Sequence, residues 1–159
     1  MRFRRREILA ALSVAPFAAK AAPLEAADTI AVRDRMQAEL NFLAAPGDIP
    51  SLPGRPFSGV PILIKDLLDV KGLPTRYGSR AYEGKPAAGQ SPYVDALQNA
   101  GFAIIGKCTT SEFGFLPTSE ALSSGPTRNP WDTSRSTGGS SGGAVAAVAA
   151  GVVRISHAG

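Results

Sequence analysis

Apolar and polar positions alternate along the chain in a way that predicts helices and strands in succession. Asp28 can cap a segment in which Val32, Met36, Leu40 and Leu43 recur at three- and four-residue intervals, the period of an amphipathic helix. Pro46, Pro50, Pro53 and Pro56, with Gly47, Gly54 and Gly59, then predict a loop over residues 45–59. Val60-Pro61-Ile62-Leu63-Ile64-Lys65 is a continuous apolar run closed by a lysine and reads as a strand buried on both faces. Asp66, Asp69 and the turn Gly72-Leu73-Pro74 follow. Ser91-Pro92 opens a second helix with proline just inside its start, Val94, Leu97 and Ala100 form its apolar stripe, and Gly101 is placed to end it. Phe102-Ala103-Ile104-Ile105-Gly106-Lys107 repeats the pattern of apolar strand and lysine, with Thr110 or Ser111 capping what comes next. Helix, strand and polar turn in this rhythm predict an α/β sheet, with no internal repeat or coiled-coil pattern.

The last distinctive stretch is Gly138-Gly139-Ser140-Ser141-Gly142-Gly143, followed at once by an uncharged run from Ala144 to Gly151. Paired glycines allow backbone conformations that a Cβ forbids. They present two hydroxyls at the start of a helix, where free N–H groups and the positive end of the dipole gather. Those serines are candidates for chemistry on a carbonyl or a phosphate, set against a structural turn or a flexible Gly/Ser linker. A phosphate loop would need a lysine beside the last glycine, and Ala144 stands there.

Composition narrows the class. The 159 residues suffice for one domain with a core, and 44% hydrophobic with 19% charged residues marks a globular chain. The net charge of +4 is confined to residues 1–21, where Arg2, Arg4, Arg5, Arg6 and Lys20 face Glu7. The remainder is balanced, so no nucleic-acid surface is predicted. Arg5-Arg6-Glu7-Ile8-Leu9 resembles a twin-arginine pattern, Ile8 to Ala19 is apolar, and Ala19-Lys20-Ala21 offers a small-residue cleavage site. Residues 1–21 therefore predict a signal peptide and an exported, periplasmic protein, with a basic first helix and a cytoplasmic location as the alternative. The apolar stretch is too short to span a bilayer, and no stable membrane span is expected. Residues 22–55 then form an N-terminal helix and the Pro/Gly-rich loop, and 56–159 the sheet-bearing part.

Candidate chemistry centres on the strand-end lysines. Lys65 lies where functional groups gather in doubly wound sheets, beyond a strand's carboxyl end. Partial desolvation would lower its pKa and make it a neutral base; pairing with Asp66 or Asp69 would make it structural. Lys107 ends a strand in the same way, and spacing does not choose between the two. Cys108, the single cysteine, permits no internal disulfide and reads as a small buried residue. His157, the single histidine, reads as incidental.

Several ordered blocks together resemble the amidase signature family. They are Gly59-Val60-Pro61-Ile62-Leu63-Ile64-Lys65-Asp66, Ala100 to Lys107, Glu112-Phe113-Gly114, Arg128-Asn129-Pro130-Trp131 and Gly138 to Gly143, over about Pro56 to Gly159. Within the family the wording is nearest the 6-aminohexanoate cyclic-dimer hydrolase type. The resemblance implies the N-terminal portion of the amidase signature fold, a mixed β-sheet flanked by helices and truncated here. It implies a Ser–cis-Ser–Lys triad acting on a small-molecule amide without metal or organic cofactor. Lys65 matches the family's lysine and Ser140 its bridging serine, so Gly139–Ser140 would be a cis peptide bond; Ser141 is placed for hydrogen bonding. The family's nucleophile lies about two dozen residues after the bridging serine, beyond Gly159. Ser156 comes too early and lacks preceding glycines, so the nucleophile's role is not carried onto it, and the chain alone is expected to be inactive. Alternatives are a non-catalytic ligand-binding domain and a glutamyl-tRNA amidotransferase A-like subunit. Tyr77, Phe113 and Leu116 stand near the matched blocks and are expected to pack in the core rather than line a pocket. The oligomeric state is not legible.

Overall fold

The computed structural model describes residues 26–82 and 84–159. The predicted signal peptide, residues 1–21, lies outside the described residues. Helix α1 spans Ala26–Leu40 and carries Asp28 within its first turn. Strand β1 (Leu43–Ile49) follows, then β2 (Pro61–Lys65), helix α2 (Pro92–Ala100), β3 (Ala103–Cys108) and a short 3-10 turn at Glu112–Gly114. A two-stranded ribbon, β4 (Arg128–Asn129) and β5 (Asp132–Ser136), leads into helix α3 (Gly142–Ala149), and β6 (Ile155–Ser156) ends the order. Four strands form one mixed sheet in the order β1-β3-β2-β6. β2 runs parallel to β3 and β6, while β1 is antiparallel to β3. Parallel neighbours need a crossover, and α2 supplies it between β2 and β3.

The two central strands are buried along their whole length, as their uninterrupted apolar runs predict. One face of the sheet, with Leu63, Ile105 and Cys108, packs with Leu40, Phe42, Ala144, Ala146 and Ala147 beneath α1 and α3. The other, with Ile62, Ile64 and Ile104, packs with Val70, Val94 and Phe102 beneath α2. Helix α2 is bounded as its sequence reads: Ser91 at the N-cap, Pro92 at its start, and Gly101 in the left-handed region at φ 105°.

One prediction is corrected. Residues 43–49, which include Leu43 from the predicted helix stripe and the start of the predicted loop, form an edge strand. An edge tolerates proline, and the register is irregular on both sides of Pro46. Arg33, buried on α1, fixes this strand to the sheet by donating to the carbonyls of Gly47 (2.7 Å) and Ile105 (2.6 Å). Among the described residues no helix is long and apolar enough to cross a membrane.

Candidate active site

β2 delivers Lys65 to the carboxyl end of the sheet with 1% of its surface exposed. Its Nζ donates to Ser140 Oγ at 2.7 Å and to the Gly159 carbonyl at 2.6 Å. Burial pushes the Lys65 pKa below its ordinary value. Asp66, the neighbour able to neutralise it, is engaged elsewhere: Lys107 Nζ lies 2.6 Å from its carboxylate, and both side chains are buried. Lys107 also donates to the Pro74 carbonyl and to Thr75 Oγ1. Burial pushes the Asp66 carboxyl up and the Lys107 ammonium down, and their mutual attraction opposes both shifts. The two strand-end lysines thus separate by environment. Lys107 is satisfied structurally, while Lys65 meets a hydroxyl and a carbonyl.

The glycine-rich loop carries Ser140 to Lys65. The Gly139–Ser140 peptide bond is cis, and Ser141 occupies the N-cap of α3. The loop is held through its main chain: Ser119 N–H donates to the Gly138 carbonyl, and the Ser140 carbonyl accepts from Ser111 N–H (3.2 Å) and Ser119 Oγ (3.2 Å). Ser119 Oγ also accepts the Gly142 N–H at 2.8 Å. A Cβ on Gly139 would come within 2.7 Å of the Thr118 backbone, so the close approach at this position requires glycine. Ser141 Oγ donates to the Gly159 carbonyl (3.0 Å) and accepts from its N–H (3.2 Å), a hydrogen-bonding role. An open cleft lined by Pro117, Thr137, Ser140, Ser141, Val145 and Gly159 gives access to the pair.

A buried lysine at the end of a parallel strand and a serine on a glycine-rich turn, preceded by a cis peptide bond, thus stand in hydrogen-bond contact. The sequence profile of the Amidase family matches residues 17–159. The chain belongs to the amidase family. It is 43% identical over 127 residues to the Synechocystis protein named "Putative amidase", covering 80% of this chain and 24% of that protein. The structure of 6-aminohexanoate cyclic dimer hydrolase superimposes with a TM-score of 0.75 at 35% identity, covering 82% of this chain and 29% of that one. A glutamyl-tRNA(Gln) amidotransferase subunit of Thermotoga maritima gives 0.73 at 33% identity, covering 79% and 28%. The chain spans about a quarter of the length of these relatives.

In this amidase chain the other candidates resolve as follows. Cys108 is fully buried and its thiol is pushed up to about 12, chiefly by burial, which rules it out as a thiolate nucleophile. Ser156 Oγ donates to the Leu63 carbonyl and lies 4.0 Å from Cys108 Sγ. His157 is not incidental: its Nδ1 accepts the Lys65 backbone N–H at 3.3 Å and its ring packs 5.2 Å from Tyr93. Burial and the Lys65 charge hold the imidazole below its ordinary pKa, in the neutral form that can accept. Ser119 and His157 are supporting residues that sequence reasoning missed. Neither stands in a local pattern, and each reaches the site only through tertiary contact. Phe113 and Leu116 are a second correction. They are not core residues: Phe113 is 40% exposed, and Leu116 more so, on the loop that borders Ser140.

Proposed function

We propose that this chain carries the lysine and bridging-serine half of an amide-hydrolysing site. The observation that supports the reading is the 2.7 Å contact between Ser140 Oγ and a buried lysine whose neighbouring carboxylate, Asp66, is paired with Lys107. Neutral Lys65 accepts the Ser140 proton while Ser140 Oγ takes the proton of an attacking serine. The serine adds to the amide carbonyl, the proton returns through Ser140 to the leaving nitrogen, and the resulting acyl-enzyme is hydrolysed by water. Ser141 holds the adjoining main chain. The attacking serine belongs to a second glycine-rich block that the family resemblance places after Gly159, so the 159 residues alone do not turn over.

The test has two arms. The 159-residue chain releases no ammonia from hexanamide or benzamide. A polypeptide continued through the second glycine-rich block hydrolyses them, and Lys65→Ala or Ser140→Ala lowers kcat by about 10²–10⁴, the usual share of general acid–base catalysis. Its rate rises with pH through the Lys65 pKa, with a midpoint below the ordinary 10.5 because burial disfavours the ammonium. Full activity in either variant overturns the assignment.

A second reading, a transamidating subunit, draws on the likeness to the Thermotoga maritima amidotransferase. Location separates the two, because tRNA charging is cytoplasmic. We propose that Arg5-Arg6 and the apolar stretch after them direct export. Periplasmic recovery of a reporter fused to residues 1–30 supports the hydrolase, and cytoplasmic retention supports the transamidating reading.

A further inference from the structure

Strand β6 pairs with β2 at two positions, Ile62 with Ile155 and Leu63 with Ser156. The ladder continues by one bond, in which the His157 N–H donates to the Leu63 carbonyl at 2.9 Å. The next outward donor on β2 is the N–H of Lys65, and a regular parallel ladder would give it a main-chain carbonyl. It goes instead to a side chain, His157 Nδ1, at 3.3 Å. An imidazole takes the place of a carbonyl beneath the residue whose amine reaches Ser140.

The exchange matters because the two acceptors differ. A carbonyl accepts at every pH. An imidazole accepts through Nδ1 only while it is neutral and carries its hydrogen on Nε2. Protonation turns Nδ1 into a donor that faces a donor, and the contact must break. The ring is half-buried, and Tyr93, in the first turn of α2, packs against it at 5.2 Å. The ionisable groups around it are Lys65 on β2, Tyr93 on α2 and Cys108 on β3, which lies 4.0 Å from the neighbouring Ser156 and stays a thiol. Burial and the Lys65 charge together hold the imidazole below its ordinary pKa. Folding alone does not call for histidine here, since an asparagine would offer a carbonyl oxygen at about the reach of Nδ1 without titrating.

We propose that His157 is a positioning residue for Lys65: its neutral imidazole fixes the end of β2 so that the lysine amine stays on Ser140, and protonation of the ring releases that hold. The use made of the amine rests on the hydrolytic reading above, whereas the hold itself requires no turnover.

NMR of the isotope-labelled 159-residue chain decides it. The imidazole signals show the Nε2–H tautomer once the ring is neutral, and the Lys65 amide resonance moves with the midpoint of the ring's titration. Lys65→Met raises that midpoint toward the ordinary 6.5, because a charge that depresses it is gone. His157→Phe fills the space but cannot accept, and the Lys65 amide then exchanges with solvent about tenfold faster, as the loss of one hydrogen bond allows. His157→Asn restores the acceptor and brings exchange back to within about twofold of the parent, and the Lys65 amide no longer follows an imidazole titration. An Nδ1–H tautomer, a Lys65 amide indifferent to the ring's titration, or equal exchange in the two variants overturns the hold. The first two are read on the parent chain and stand even if a variant fails to fold. In the continued polypeptide His157→Phe lowers kcat about tenfold with KM unchanged, and His157→Asn recovers it to within about threefold and loses the acidic limb that the imidazole adds to the pH profile. Parental kcat in His157→Phe overturns the positioning role. A continued parent without turnover overturns the hydrolytic reading instead, and the NMR result then decides the hold by itself.

Discussion

Lys65 and Lys107 lie at the ends of neighbouring parallel strands, and each places its amine in a low-dielectric interior. The interior penalises both ammonium groups; Lys107 has the Asp66 carboxylate in return, and no side-chain carboxylate among the described residues pairs with Lys65. The consequences for stability are opposite. Lys107→Met leaves the Asp66 carboxylate buried without its cation and should destabilise the fold by ~3–5 kcal/mol. The double variant Asp66→Asn/Lys107→Met, which leaves no charge behind, should recover part of that loss. Lys65→Met should not lower the melting midpoint, because it removes a desolvated amine. The sign follows from linkage: a lysine whose folded pKa is lowered opposes folding most at low pH, and the penalty fades as pH rises through the folded value toward the ordinary 10.5. The stability advantage of Lys65→Met over the parent therefore shrinks with rising pH. Urea melts of the three variants at two pH values measure all of this, and a Lys107→Met protein as stable as the parent would refute the structural role. At this scale the sequence was ambiguous for a physical reason. Both lysines close an apolar run in the sequence, and what separates them is the register, with Lys65 opposite Cys108 and Lys107 opposite Ile64, and what the fold brings to each, Ser140 to Lys65 and Asp66 to Lys107.

Helices and central strands were readable because their determinants are local. Proline at the start and glycine at the end bound α2, and unbroken apolar runs mark β2 and β3. β1 was not readable, since Pro46 and Gly47 argue for a loop unless an edge position is available to excuse them. The glycine-rich stretch was readable as a turn leading into a helix, but the reason for each glycine was not. Gly143 is the sharpest case. It lies in the first turn of α3, where alanine would ordinarily add ~1 kcal/mol of helix stability. A Cβ there would lie 2.4 Å from Thr109 Oγ1, 2.5 Å from Thr109 N and 2.6 Å from the Phe42 carbonyl. Two of those atoms are backbone and cannot swing aside. Gly143→Ala should therefore destabilise by ~1–3 kcal/mol, as overpacking does, and displace α3 with the serines at its head. The sign of the change in melting temperature decides between helix propensity and close packing. A stabilised Gly143→Ala protein would show that the contact yields.

Across the whole molecule the sheet is covered on both faces, yet apolar surface remains on the far side of α3. Val145 and Val148 are exposed there, and with Ala144, Ala149 and Ala158 they line an open groove whose floor is almost wholly apolar. Ile155, on the two-residue edge strand β6, is exposed as well. No periodicity argument could have found this surface, because an alanine- and valine-rich helix is apolar all round and does not reveal which faces are covered. Monomeric proteins rarely leave contiguous apolar patches of more than a few hundred Å² in water, and an edge strand adds unpaired backbone groups that recruit another chain. The 159-residue chain should consequently self-associate as its concentration rises. Sedimentation velocity should show a growing fraction of dimer or larger species, and the thermal transition should broaden and fail to reverse. Val148→Lys places a charge in the groove and should shift the distribution toward monomer without lowering the melting midpoint, since the side chain is already partly in water. A parent chain that stays monomeric at high concentration and melts reversibly would show that this face is tolerated in water.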